Sequence, residues 1–245
     1  MVFLGGLGTT RTGWDPQLVA LAGDYRCAAW DQPGYGLSPA PAQPLTYALL
    51  ADAVAAFIAA LGAAEAHVVG LSMGGQIALH TALCHPQRVR SLALLDTSAA
   101  FGLNGTDPEE WKRLRLAALD AGETPASIAE PVMRSIMAPG VSDGAVAAAV
   151  SSMQRISAAG LRAAIELLPS HDVQHRLGDI RAPTIVIVGE HDEETPLSYA
   201  ELLAEGIPGA QLQIIAGSGH IPNLEAPEPV TAALRAHLAA VEACP

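Results

Sequence analysis

The stretch Gly70-Leu71-Ser72-Met73-Gly74 constrains this chain more than any other. The apolar run Ala66-His67-Val68-Val69 ahead of it reads as a buried strand, and the segment behind it reads as a helix over 74–84. The backbone must therefore turn from strand to helix within one or two residues, with a serine at the apex. Glycine on either side leaves room for such a turn because it carries no Cβ. A serine held there exposes its hydroxyl, and the helix that starts behind it aims the N–H of Met73 at any negative charge forming over Ser72. Five residues thus offer a nucleophile and half of an oxyanion-binding site.

The remainder of the chain predicts a frame for that turn. Met1 to Leu4 reads as a strand that runs into the glycine-rich loop Gly5-Gly6-Leu7-Gly8, where backbone can approach a ligand closely. No lysine follows and no G-x-G-x-x-G occurs, which argues against a phosphate loop. Trp14 to Ala22 reads as a short helix and Tyr25 to Trp30 as a second strand. Leu45 to Leu61 is a helix with Thr46 as N-cap and Gly62 as its stop, and Val89 to Leu95 is a further strand. Alternating strands and helices with short links predict a mostly parallel sheet wrapped on both faces, an α/β architecture. From Ser98 to about Pro169 the alternation stops, and helical stretches run over 107–121, 125–137, 142–153 and 157–168. It resumes with a strand at Thr184 to Val188, a helix over 197–205, a strand at Gln211 to Ile215 and a closing helix from Glu228 to Val241. We expect one structural domain, with a core over 1–97 and 170–245 and a helical lid over 98–169 above the carboxyl edge of the sheet, where ligands bind in such folds.

Composition excludes several classes of partner. Half of the 245 residues are apolar, so a large core is readily buried. The formal charge of −12, from 25 acidic against 13 basic residues, speaks against a nucleic-acid backbone as ligand. Cys27, Cys84 and Cys244 are odd in number and widely spaced, without a C-x-x-C or a Cys/His cluster, which predicts reduced thiols and no metal site. The absence of a basic leader and of a long apolar run predicts a cytoplasmic protein that neither spans nor binds a membrane.

A serine hydroxyl is a poor nucleophile until a base removes its proton, and that base needs a carboxylate to orient it. Among eight histidines, His220 follows Gly217-Ser218-Gly219 directly after a strand, which puts an imidazole on a loop at the carboxyl edge. His67 falls within a strand, His80 and His237 within helices, and His85 in a turn before proline; His171, His175 and His191 are weaker rivals. For the carboxylate, the loop Gly189-Glu190-His191-Asp192-Glu193-Glu194-Thr195-Pro196 links a strand to a helix, and Asp192 is the choice there. Asp96, at the end of the preceding strand, is the runner-up because it lies on the same edge.

With these residues in view, the chain resembles the α/β-hydrolase superfamily over nearly its whole length. The resemblance rests on Gly5-Gly6-Leu7-Gly8, Asp31-Gln32-Pro33-Gly34-Tyr35-Gly36-Leu37-Ser38, the serine turn, Gly189 to Pro196, and Gly219-His220. Within the superfamily, Leu7-Gly8-Thr9-Thr10 with Trp14-Asp15-Pro16-Gln17, and His220-Ile221-Pro222-Asn223-Leu224-Glu225, look most like 3-oxoadipate enol-lactonases and related small carboxylesterases. The resemblance implies a triad of Ser72, Asp192 and His220, an oxyanion hole from the N–H groups of Leu7 and Met73, no cofactor, and a small ester or lactone as substrate. It also marks Gly6, Trp111, Arg113, Arg134 and Ile221 as candidate substrate contacts, the arginines as partners for a substrate carboxylate. Two features depart from the pattern. Gly5-Gly6 stands where many members have His-Gly, and Val132-Met133-Arg134-Ser135-Ile136-Met137 stands where the lactonases carry an Arg-Trp-Phe cluster. Relatives also begin with a strand pair that has no counterpart here, which leaves the strand over 25–30 at the sheet edge and predicts either a homodimer that covers it or an N-terminally truncated chain. Rivals on the same fold are a C–C bond hydrolase, a proline iminopeptidase, a cofactor-free haloperoxidase and a small-molecule receptor with a slow triad.

Overall fold

The computed structural model describes residues 1–243, and Cys244 lies outside the described residues. Its strands are β1 (Val2–Leu4), β2 (Ala28–Trp30), β3 (Ala66–Leu71), β4 (Val89–Leu95), β5 (Thr184–Gly189) and β6 (Gln211–Ile215). They form one sheet in the order β2-β1-β3-β4-β5-β6, and every neighbouring pair is parallel. Strands β3 and β5 are buried along their full length, as expected where helices cover both faces of a parallel sheet. The second strand is shorter than its apolar run predicts. β1 offers only three residues to pair with, so the ladder ends at Ala28, and the positions before it hold the chain start through the Met1 amino group donating to the Arg26 carbonyl.

Around the sheet lie α1 (Asp15–Leu21), α2 (Tyr47–Ala60), α3 (Met73–Cys84), α8 (Leu197–Gly206), α9 (Pro222–Glu225) and α10 (Pro227–Ala243). The stretch predicted as one helix over 14–22 divides into a 3₁₀ turn at Arg11–Trp14 and α1, because Pro16 lacks an N–H and fits the first turn of a helix but not its interior. Thr46 caps α2 as predicted, accepting from the Leu49 N–H, and Gly62 takes φ +74° just past its end. Among the described residues, no helix is long and apolar enough to cross a membrane.

Four helices enter between β4 and β5: α4 (Pro108–Asp120), α5 (Pro125–Ile136), α6 (Asp143–Met153) and α7 (Ala158–Leu167). Each is started by its own side chain, Asp107, Thr124, Ser142 and Ser157, accepting from the N–H three residues on. A cap of this kind contributes about 1 kcal/mol. Among the contacts that bolt the insertion to the core, two join it to the loops after β2 and β1. At one, the Ser157 N–H and hydroxyl both donate to the Gly34 carbonyl at 2.9 Å, and the Gly36 N–H donates to Arg155. At the other, the Thr10 N–H donates to Ser152 Oγ at 2.8 Å.

The first bolt depends on two glycines in van der Waals contact. A Cβ on Gly160 would lie 2.6 Å from the Gly34 carbonyl oxygen. Gly160→Ala is therefore expected to lower the unfolding free energy by about 1–3 kcal/mol through overpacking, read as a lower urea midpoint with an unchanged slope.

Candidate active site

The strand order reverses between β1 and β3, and the loops leaving these two strands open the crevice in which ligands sit in open α/β sheets. Ser72 stands at the end of β3 with φ +52° and ψ −122°, a conformation rarely taken by a residue with a Cβ. Its N–H donates to Leu95 at 2.8 Å, and its carbonyl accepts from the Thr97 hydroxyl at 2.7 Å. Helix α3 begins at Met73, one residue earlier than its periodicity suggests, so that the turn is confined to Ser72 itself.

His220 reaches Ser72 from the loop after β6, with Nε2 at 2.9 Å from the serine Oγ. Its Nδ1 lies 3.0 and 2.9 Å from the two carboxylate oxygens of Asp192. An ionised carboxylate only accepts, so Nδ1 carries the proton, Nε2 is the acceptor, and the Ser72 hydroxyl donates to it. Asp192 is fixed in turn by the N–H groups of Glu194 and Thr195 and by the Thr195 hydroxyl at 2.7 Å. Burial works against its charge, but His220 and the Thr195 donors outweigh it and hold the carboxyl well below the usual range. For His220 burial pulls the imidazole down; the charge and hydrogen bond of Asp192, with Glu194 and Glu225, reverse this and hold its pKa above 6.5.

Four of the other histidines are engaged elsewhere. His67 bonds Ser91 between strands, His85 pairs with Asp52, and His80 meets His171 at 3.2 Å in a buried cluster where burial pushes both imidazoles down to about 4. Asp96, the second carboxylate expected at this edge, does reach the site, but its hydrogen bond is to the Gly189 N–H at 2.8 Å.

Leu7 lies across from Ser72 in the loop after β1. Its carbonyl accepts from the buried Tyr35 hydroxyl at 2.9 Å, which anchors the loop. Tyr35 is itself positioned by Asp31, whose carboxylate accepts from the Arg11 N–H, the Leu37 N–H and the Arg11 guanidinium. Among the described residues no acceptor meets the Leu7 N–H, and Met73, at the first position of α3, has no carbonyl one turn behind it. Gly6 is needed for this approach: a Cβ there would lie 3.0 Å from the Ser72 Cβ.

Ser72 and His220 open on a cavity of about 360 Å³. Apolar side chains from the insertion, among them Met133, Met153, Leu161 and Ile165, face Leu7 and Ile221 across it. Its mouth is polar, with Arg115, Glu193, Glu194 and Tyr199. Gly6, Trp111 and Ile221 line the cavity as expected, whereas Arg113 and Arg134 do not. Arg113 is bound to Glu110 and Arg134 to Glu130 on the solvent faces of their own helices. Helical spacing explains the miss: Arg115, two positions beyond Arg113, falls on the cavity face of α4. Its guanidinium lies 5.6 Å from the centre of the Trp111 ring and bonds Glu194 at 3.0 Å.

Glu225 was also not singled out, although a carboxylate five residues beyond His220 was the available signal. It accepts from the N–H groups of Gly219 and Ile221, which flank His220, and from Ala138 at the end of α5. The His220 N–H itself donates to Ile136 at 2.9 Å, so the insertion holds the histidine loop directly.

Residues 1–233 match the model of the Alpha/beta hydrolase family. The chain is 34% identical over 212 residues to a pimeloyl-[acyl-carrier protein] methyl ester esterase of Chromobacterium violaceum, covering 85% of this chain and 82% of that protein. It is 29% identical over 230 residues to 3-oxoadipate enol-lactonase 1 of Acinetobacter baylyi, covering 93% and 84%. Among solved structures, the enol-lactonase of Burkholderia xenovorans superimposes with a TM-score of 0.87 at 27% identity, over 97% of this chain and 90% of that one. Sheet order, serine turn and sequence match agree, and the chain belongs to the alpha/beta hydrolase family.

Proposed function

We propose that this protein is a serine hydrolase that cleaves a small, uncharged carboxylic ester or lactone through an acyl-enzyme. The observation that carries this reading is the unbroken hydrogen-bond line from Ser72 Oγ through His220 to Asp192, opening on a cavity walled largely by apolar side chains. In the proposed reaction His220 Nε2 takes the Ser72 proton as Oγ attacks the substrate carbonyl, and the imidazolium is stabilised by Asp192. The carbonyl oxygen, now negative, is received by the N–H groups of Leu7 and Met73, each lowering the barrier by about 3–4 kcal/mol. His220 then protonates the leaving alcohol, and water repeats the sequence to release the acid. Similar proteins named as an ester esterase and enol-lactonases support acyl transfer to water as the shared chemistry.

The charge at the mouth supports an uncharged substrate. A carboxylate-bearing lactone calls for a free cation, yet Arg113 and Arg134 face solvent and Arg115 is already bound to Glu194. With Glu193 beside it, the rim sets two carboxylates against one guanidinium. A substrate anion would enter against that field.

Three measurements check this reading. Ser72→Ala is expected to reduce turnover of a short p-nitrophenyl ester by at least about 10⁴-fold with an unchanged circular dichroism spectrum; steady turnover in that variant would take the serine out of the reaction. Because His220 must be neutral to accept the proton and its pKa is raised, kcat/KM should fall on the acid side along a one-proton limb centred above pH 6.5. Glu194→Gln removes a charge that raises this pKa and should move the limb to lower pH. Finally, a neutral methyl ester should exceed its matched free-carboxylate half-ester in kcat/KM by about tenfold, and Glu194→Gln, which frees Arg115, should narrow that gap; a native preference for the anion would refute the uncharged-substrate assignment.

A further inference from the structure

The carboxyl of Asp96 lies behind the triad and has no part in the reaction as written. Asp96 ends β4 with φ +43°, the only residue besides Ser72 among the described non-glycines with a positive φ. Its N–H donates to Ile187 at 2.9 Å, and its Oδ1 accepts from Gly189 at 2.8 Å, which pins it across the carboxyl ends of β4 and β5. The side chain is buried, and Oδ2 meets no hydrogen-bond donor. One oxygen of Asp96, one of Asp192 and a ring nitrogen of His220 all lie within 4.8 Å of one another. Both ring nitrogens of His220 are already engaged, one by Ser72 and one by Asp192, so the group does not form a ready cation site.

Two buried carboxyls this close do not both ionise. Asp192 is the one with the donors, namely His220, the Thr195 hydroxyl and two backbone N–H groups. Asp96 has a single N–H. Burial, and after it the neighbouring charge of Asp192, hold the Asp96 carboxyl well above the usual range. A protonated carboxyl carries one O–H donor. The oxygen that no donor reaches, Oδ2, is the place for that proton.

We propose that Asp96 is a second acid of this site: a neutral carboxyl that positions Asp192 in the native protein, and a carboxylate that orients His220 when the charge of Asp192 is removed. Loss of the Asp192 charge lets Asp96 release its proton to solvent. The vacated site then holds one carboxylate, as before, with an oxygen within 4.8 Å of a nitrogen of the same imidazole. No other group changes its covalent state. The proposal rests on the serine-hydrolase reading above.

The test is a double-mutant cycle on the full chain with Asp96→Asn, Asp192→Ala and both together, read as kcat/KM on a short p-nitrophenyl ester. Asparagine keeps an acceptor for Gly189 and a neutral donor beside Asp192 but cannot ionise. Asp96→Asn is expected to lower kcat/KM by less than about tenfold when Asp192 is present and by a further hundredfold, roughly, when Asp192 is alanine. Equal factors in the two backgrounds would overturn the proposal, since a merely structural aspartate would give the same loss in both. A readout independent of turnover and of the Asp192 variants is the infrared difference spectrum of native protein minus Asp96→Asn at neutral pH. It should contain the C=O stretch of a protonated carboxylic acid, and its absence would also overturn the proposal. If Ser72→Ala keeps full activity, the hydrolytic reading falls instead, while the infrared result still reports on the Asp96 proton.

Discussion

Everything at this site depends on how closely α3 is allowed to approach the end of β1. Gly74 faces the carbonyl oxygens of Leu4 and Gly5 with no room for a side chain, and Gly70 is packed against the backbone of Gly74 and Gly75. That contact does two things at once. It forces the chain to reverse within Ser72 alone, holding the serine in a strained conformation with its hydroxyl outward, and it brings the loop of Gly6 and Leu7 alongside. Strain at one residue is sustained because hydrogen bonds to Leu95 and Thr97 and the packing of a buried parallel sheet over-determine its position.

Preorganisation then spreads outward through backbone groups. Asp31 shapes its loop, the loop places Tyr35, and the Tyr35 hydroxyl holds the Leu7 carbonyl. On the opposite side Glu225 grips both neighbours of His220, while Thr195 and Glu194 grip Asp192. Donors and acceptors held this way need little rearrangement when charge develops, which is the physical basis of electrostatic catalysis in a closed site. The helical insertion belongs to the same framework, since it supplies most of the apolar cavity wall and the carbonyl of Ile136 to the histidine loop.

Electrostatics divide the site into a buried pair, Asp192 and His220, and an acidic mouth. Inside, Asp192 keeps its charge by being surrounded with donors, and this sustains a basic His220. At the mouth, the one guanidinium lining the cavity among the described residues lies over Trp111 and is spent on Glu194. The acidity of the whole chain, −12, has a local counterpart where a ligand would enter.

Much of this was legible in the sequence, because strand and helix periods, caps and glycines act over a few residues. The bounds of β6 at Gln211–Ile215, the four insertion helices and the Thr46 cap follow from such local rules. So does the choice of Ser72, His220 and Asp192, since each sits in a loop directly after an apolar strand, and parallel strands deliver all such loops to one edge. What local rules could not reach was rotation and long-range pairing. Whether Arg113 or Arg115 faces the cavity depends on how α4 is rolled against α7, and the clamp by Glu225 depends on where α5 ends. The proximity of Asp96 to Asp192 depends on the spacing of adjacent strands across 96 residues of chain. The sequence by itself determined the fold class, the serine turn and the candidate nucleophile, base and acid, because those are written in short-range backbone chemistry. Only the tertiary structure decided which charges meet at the mouth and which buried carboxyl must keep its proton, because those follow from distances between elements remote along the chain.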